Sequence, residues 1–598
     1  MSWHDPRRLG LQAAPGRRPG SRPALAPAPA MMGGTVGVIL LPTRTFGQFG
    51  LSIGGILGGT IMMLRTAFRE AAEVRDVTSP DTPDRAWRIA AWAVGALCLL
   101  ALFARIMTYP LQHDEQFYVS AGVLFGEYPL YPGIGFTHFP NIALLYASAF
   151  ALFGDAHYLL IGRLLTFMAW IASCAALVLI ARAYVRSALI GGLMIVLLVL
   201  NPMFLNATGM TATNNFLPVP FMLFGLYLFL RAVDRSRPAP VLALASGLLL
   251  AVAAGFKANY LPLLVPFAIA VLLVPPGLPL RIRLVRVALP MLIGGIIGGL
   301  PVLIYALGDP EGFIAHVFSA HRGPQLGYWA AHPDPADPKV IGIAGKLLLA
   351  HRLWLSGVPM LMLVLLLSFL TIAFVRRETL VLRWPHLLLA ALAVVGAAIS
   401  FVPTPSFPQY FTPPLPFAIV LIGLLFGALD LPGRNLARPL VAAVLTLAVI
   451  TGAPLLLPSL IGIANPGQWT GIRVARDGAA IAALVRQQGG AGPVATLSPI
   501  HAQEGRLPVY PHFASGQFQV RAAPWVPRDE RRHYDYFITP DTIPALLAAQ
   551  PPAAVLTGME GNADAALDAF ARERGYRMIP LDLRKVEDGE RVRLYLPR

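Results

Sequence analysis

The stretch Pro110-Leu-Gln-His-Asp-Glu-Gln-Phe-Tyr118 places two adjacent carboxylates, Asp114 and Glu115, just after a long apolar run. Carboxylates at a membrane's edge are costly to hold there and mark a functional site by default. One of them could be a base that takes a proton from a sugar hydroxyl. Asp114 also opens a helical pattern through Phe117, Tyr118, Ala121, Leu124 and Phe125, where it could serve as an N-cap accepting backbone N–H groups. Glu115 is harder to explain as a cap, because neighbouring carboxylates repel and raise one another's pKa. His113 fits a partner of this pair, a metal ligand or a polar interface residue.

The elements that must position these groups follow from composition. Of 598 residues, 56% are hydrophobic and 13% are charged, with a mean hydropathy of +0.62. A soluble domain carries about 25% charge, so the sequence predicts an integral membrane protein of helical type. The 47 Lys+Arg against 31 Asp+Glu fit basic loops between spans rather than nucleic-acid binding, and no nucleic-acid motif is present. Cys98 and Cys174 both lie in apolar stretches, which excludes a disulfide framework.

Residues 1–84 form a basic N-terminal region, with 1–30 rich in Pro, Ala, Gly and Arg and expected to be disordered. An apolar, Gly-rich stretch at 45–64, broken by Gln48, reads as a re-entrant or surface segment, or as sequence upstream of the true start. From residue 85 to 462, runs at 87–108, 157–181, 188–207, 215–231, 239–255, 259–278, 285–307, 354–375, 385–402, 413–429 and 438–460 predict about 11 spans. Arginine clusters at Arg182 and Arg186, Arg281 to Arg286, Arg376 to Arg383, and Arg434 and Arg438 occupy alternate connections, which the positive-inside rule assigns to the cytoplasm. The register requires Pro140–Gly154 to lie along the membrane rather than cross it. Asp114 and Glu115, the 208–215 corner, Lys257, the 308–350 loop, the 403–412 corner and the tail then share the outer side. The tail, 463–598, turns polar and predicts a small extracytoplasmic α/β domain: helix at 473–488, strands at 493–498 and 554–558, helix at 563–575 and strand at 577–583.

After the acidic pair come Gly126-Glu-Tyr-Pro-Leu-Tyr131, Phe136-Thr-His-Phe-Pro140, Leu152-Phe-Gly154 and Gly162-Arg-Leu-Leu165. In this order and on one side of the membrane, these motifs resemble the GT-C superfamily of membrane glycosyltransferases. The likeness is to the family 39, protein-mannosyltransferase-like branch that includes bacterial lipopolysaccharide-modifying enzymes. It is strong over about 87–260 and mainly topological to about 460. The resemblance implies inverting transfer of a sugar from a polyprenyl-phosphate donor to a hydroxyl of a glycan, lipid or protein. The reaction would take place on the outer face of the bacterial cytoplasmic membrane. Asp114 would be the general base, with Glu115 positioning it or the acceptor.

The departing phosphate needs fixed cations. The resemblance points to His138, at a position where relatives often carry Lys or His, and to Lys257, which matches a recurrent Lys. Arg322 lies in the long outer loop, and Tyr410 in a Tyr-containing turn. Each has a plainer reading: an interfacial hydrogen-bonder, a snorkelling lysine, a solvated loop residue and an aromatic-belt anchor, respectively. Asn214 and Asn215 stand where many relatives have an acid; they can hydrogen-bond a sugar but cannot act as a base. The adjacent acids could hold a divalent metal, although no metal-specific spacing is present and no cofactor is otherwise implied. The runner-up function is a carrier or flippase for polyprenyl-linked glycans, which should show charges at mid-helix and internal repeats. A catalytically inactive scaffold is the third reading.

Overall fold

The computed structural model describes residues 85–154, 156–234, 237–376, 383–490, 492–583 and 591–598. The expectations for residues 1–84, including the 45–64 segment, lie outside them. Arg85–Thr108 forms α1, and the chain then bends by 84° into α2, His113–Val123. Pro110 sits in the bend, where its missing N–H would interrupt a continuous helix. Gln112 is the N-cap of α2, and Glu115 Oε2 accepts from its backbone N–H at 3.1 Å, the returning arm of a capping box. The capping carboxylate is therefore Glu115, and Asp114 lies one position nearer the helix start with its carboxylate available for other work.

Helices occupy every predicted apolar run. They are α1, α4 (Tyr158–Ile180), α5 (Ala188–Val199), α6 (Pro218–Val233), α7 (Pro240–Phe256), Leu264–Leu273, α8 (Leu289–Gly308), Gly357–Val375, Trp384–Ser400, Leu415–Ala428 and Leu431–Leu456. Five helical stretches are long and apolar enough to cross a membrane, or six if α1 and α2 count as one bent span. The others are shorter than the sequence runs suggested, because prolines and irregular turns break them. Pro262, for example, falls inside a 3-10 turn before Leu264–Leu273. Between α2 and α4 lies α3, Asn141–Phe153, the short helix expected along the membrane.

Small residues bring α7 and α8 into backbone contact. A Cβ on Gly247 would lie 1.9 Å from Met291 O, and one on Gly294 would lie 1.9 Å from Leu244 O. Gly294 and Gly298 form a small-x-x-x-small pattern that lets helices approach closely where lipid gives no hydrophobic drive. Asn141 Nδ2 on α3 donates to Val252 O of α7 at 3.1 Å. These contacts fix the end of α7, where Lys257 emerges.

In the tail, α9 (Thr470–Gln487) buries Val474, Ala475, Gly478, Ile481, Ala482 and Val485, a helical spacing of one face. Then come β1 (Val494–Ala495), α10 (Pro499–Glu504), α11 (Gln517–Ala522), β2 (Ala554–Thr557), α12 (Ala565–Glu573), β3 (Arg577–Leu581) and β4 (Val592–Leu596). The sheet order is β1-β2-β4-β3, with β1 parallel to β2 and the other pairs antiparallel. The sequence reading missed β4 and the short helices of 499–549. The tail is bolted to the membrane helices. Thr470 Oγ1 donates to Tyr109 O at 2.7 Å, Gln503 Nε2 to Ser120 Oγ at 2.8 Å, and the N–H groups of His157 and Leu159 to the Glu504 carboxylate at 2.8 and 3.0 Å. All described residues belong to one compact unit.

Candidate active site

A cavity of about 330 Å³ opens where the start of α2, the 137–138 turn, the 207–215 corner, the end of α7, the 407–410 turn and α11 converge. Asp114, His138, Asn214, Asn215, Lys257 and Tyr410 all line it. These six residues come from five separated stretches of sequence. Among the described residues Asp114 makes no hydrogen bond or ion pair; it is half-buried, closed off by protein but open to the cavity. Burial raises its carboxyl above the usual range, and the nearby charges of His113, Arg521 and Lys257 oppose that rise.

Lys257 leaves α7 as its C-terminal cap, and Nζ donates to Asn215 Oδ1 while standing 5.2 Å from the centre of the Tyr410 ring. Asn215 Nδ2 donates to Thr213 Oγ1 at 3.1 Å and Asn214 Nδ2 to Phe256 O at 3.2 Å, which ties the 211–215 corner to the end of α7. Lys257 is buried, so it does not snorkel to bulk water; its Nζ is held inside the cavity wall. The His138 ring packs edge-on to Phe117, Tyr118 and His321 at 5.1, 5.2 and 5.0 Å between ring centres.

Two expected site residues lie elsewhere. Glu115 is fully buried: Oε1 accepts from Arg163 Nε and Ala212 N, both at 2.9 Å, and Oε2 from Arg163 Nη2 at 2.7 Å as well as from Gln112 N. Its acceptor capacity is filled, and it does not line the cavity. Arg322 is exposed and away from it, whereas His321 lines it, with Nε2 2.8 Å from Thr137 O and Nδ1 2.7 Å from Gln325 Oε1. One residue of helix is a rotation of about 100°, so the neighbour of the expected arginine faces inward instead. Glu115 faces Arg163 rather than the cavity that Asp114 lines. Among the described residues no group of three or more His, Cys, Asp or Glu side chains could hold a metal ion.

The sequence reading also missed what the tail contributes. Gln517, Phe518, Gln519, Arg521 and Phe537 line the cavity. The Arg521 guanidinium lies 4.6, 5.0 and 5.1 Å from the ring centres of Phe518, Tyr328 and Trp329. No local pattern in 517–521 marks these residues as site-forming; they reach the cavity through contacts hundreds of residues apart in sequence.

Among solved structures, the chain is similar to a crystal structure of ArnT from Cupriavidus metallidurans bound to undecaprenyl phosphate. The TM-score is 0.55 at 14% identity, over 86% of this chain and 98% of that one. The same enzyme in its apo state gives a TM-score of 0.54 at 15% identity, over 85% and 98%. The chain has the ArnT fold. This is the fold that the GT-C resemblance in the sequence implied. The share of this chain left uncovered is shorter than the segment 463–598, so the ArnT fold takes in part of the tail. No protein-family model and no curated protein matches the chain.

Proposed function

We propose that the protein is an inverting membrane glycosyltransferase. In this reading it moves a sugar from a polyprenyl-phosphate donor to an acceptor hydroxyl. The observation that carries this reading is the meeting of an unpaired carboxylate, Asp114, with a buried ammonium, Lys257, in one cavity of an ArnT-type fold. The ArnT structure that binds undecaprenyl phosphate supports a donor of that class.

The acceptor oxygen attacks the anomeric carbon on the face opposite the phosphate. Its proton passes to Asp114 as the new C–O bond forms. The bond from carbon to phosphate oxygen breaks with its electron pair remaining on the phosphate, and the configuration inverts. Lys257, steadied by Asn215 and Tyr410, faces that growing negative charge in a poorly hydrated wall, where a charge-assisted contact is strongest. Asn214, Asn215 and His138 supply hydrogen bonds to the sugar. Glu115 acts at one remove, by fixing the start of α2 and hence the position of Asp114.

The site lies on the outer face of the cytoplasmic membrane, with the tail covering it from the same side. The polar groups gather at one end of the helices and no internal repeat is visible in the sequence, which favours an enzyme over a polyprenyl-glycan flippase. Comparing lipid-linked sugars and envelope glycans of a deletion strain with its parent tests this reading. An enzyme leaves the sugar-loaded polyprenyl phosphate to accumulate while one glycan loses a sugar. A flippase defect instead stops the donor from appearing on the outer face.

A further inference from the structure

Glu560 reaches the site from the tail. Its Oε2 lies 2.8 Å from His113 Nδ1, and its Oε1 accepts from Gln116 Nε2 at 2.7 Å and from Ser498 Oγ at 2.9 Å. The Glu560 side chain is 1% exposed. The turn that carries it is pinned by Asp564, whose Oδ2 accepts from the N–H groups of Gly558, Met559 and Glu560 at 2.7, 3.1 and 3.0 Å. His113 and Gln116 are three residues apart on α2 and so share a face. His113 lines the cavity next to Asp114.

A carboxylate close to an imidazole favours its protonated form and so raises its basicity. Glu560 Oε2 stands at ion-pair distance from His113 Nδ1 without an aligned hydrogen bond, and its negative charge there favours the protonated imidazole. Gln116 and Ser498 hold the carboxylate in place and prevent it from turning away. Three supports converge on one buried acid, which then contacts a cavity-lining histidine beside the only carboxylate that faces the cavity among the described residues.

We propose that Glu560 and His113 form a proton-accepting dyad that takes the acceptor's proton onward from Asp114. This rests on the glycosyl-transfer reading. The proton leaves the acceptor hydroxyl for the Asp114 carboxylate and then moves to the His113 imidazole, giving an imidazolium paired with the Glu560 carboxylate. When product leaves, the imidazolium loses the proton to water and Asp114 is again ionised. No electron transfer or co-reactant is involved. His113 is the reacting group and Glu560 a positioning residue. The other charged or titratable groups around the cavity are Asp114 and Tyr118 on the same helix, Lys257 at the end of α7, His138 and His321, Tyr410 in the 407–410 turn, and Arg521 on α11.

The test adds purified full-length enzyme to membranes of the deletion strain, which supply both substrates, and follows the release of undecaprenyl phosphate across pH. Glu560→Gln keeps the bonds to Gln116 and Ser498 but removes the charge. It should lower kcat by about 10- to 100-fold with little change in KM. It should also move the acidic limb of the kcat profile to lower pH, because the imidazolium loses its counter-charge. His113→Ala should lose activity that added imidazole partly restores, whereas imidazole should not restore Asp114→Asn. A Glu560→Gln profile superimposable on wild type, or His113→Ala left unrescued by imidazole, overturns the dyad. If Asp114→Asn is inactive while Glu560→Gln behaves as wild type, only the dyad falls. Wild-type turnover in Asp114→Asn removes the transfer reading itself.

Discussion

Glu115 and Arg163 meet as a two-pronged pair, Nη2 to Oε2 at 2.7 Å and Nε to Oε1 at 2.9 Å, with both side chains 0% exposed. Arg163 also donates to the carbonyls of Ile106 and Tyr109 at 2.8 and 2.6 Å, so one guanidinium joins α4, the end of α1 and the start of α2. Breaking a buried pair by removing one partner strands the other charge, at a cost of about 3–5 kcal/mol. Arg163→Met should therefore lower the unfolding temperature of the purified protein sharply, and adding Glu115→Gln should recover part of the loss. A normal melting temperature in Arg163→Met would mean that the pair does not hold this junction.

Lys257 should bind the donor's phosphate. Lys257→Gln should weaken binding of both undecaprenyl phosphate and sugar-loaded donor, because the phosphate is common to both, and Lys257→Arg should keep part of it. Titration of undecaprenyl phosphate into purified variants decides this. Unchanged affinity in Lys257→Gln would leave Lys257 as a structural partner of Asn215 alone.

Glu504 joins the tail to the start of α4, and burial holds its carboxyl up to about 7 against an ordinary 4.5, with backbone N–H groups of Leu159, His157 and Tyr158 opposing the rise. A raised acid binds its proton more tightly when folded. Its contribution to stability is therefore complete below about pH 4.5 and lost as pH rises through about 7. Glu504→Gln should flatten the dependence of the denaturant midpoint on pH across that window. Asp564, also raised to about 7 by burial, should keep a weaker slope of the same sign. A slope in Glu504→Gln as steep as in wild type would remove Glu504 as its source.

The proposed outward placement of the site can be tested chemically. Gly323 is exposed, with only Ser319 O 3.4 Å from an added Cβ, and Gly277 is exposed with nothing within 4 Å. In intact spheroplasts, an impermeant thiol reagent should label Gly323→Cys and Asp529→Cys but not Gly277→Cys, over a background lacking Cys98 and Cys174. Labelling of Gly277→Cys alone would invert the orientation. Ser515 is a poor reporter here because it is buried against Ile134.

Six of the expected residues line the cavity, and five of them, Asp114, Asn214, Asn215, Lys257 and Tyr410, sit near the ends of apolar runs, which hydropathy locates best. Glu115 and Arg322 do not line it. Which face a residue takes within a turn depends on caps and partners: Arg163 captures Glu115, and helical rotation presents His321 instead of Arg322. The α/β elements of the tail were legible from periodicity, but its role was not. Gln519, Arg521 and Glu560 act through contacts with residues 116 and 134–135 and with the cavity, and sequence spacing carries no trace of such pairings.

Asp114→Asn tests the role of Asp114 as the base most directly, because the change is isosteric and leaves Lys257 and its partners in place. Undecaprenyl phosphate affinity and turnover are measured on the same purified protein, with membranes of the deletion strain as substrate source. With Asp114 as the base, affinity should stay close to wild type and the rate should fall by about 10²–10⁴. Turnover at the wild-type rate, with the phosphate still bound, would contradict it.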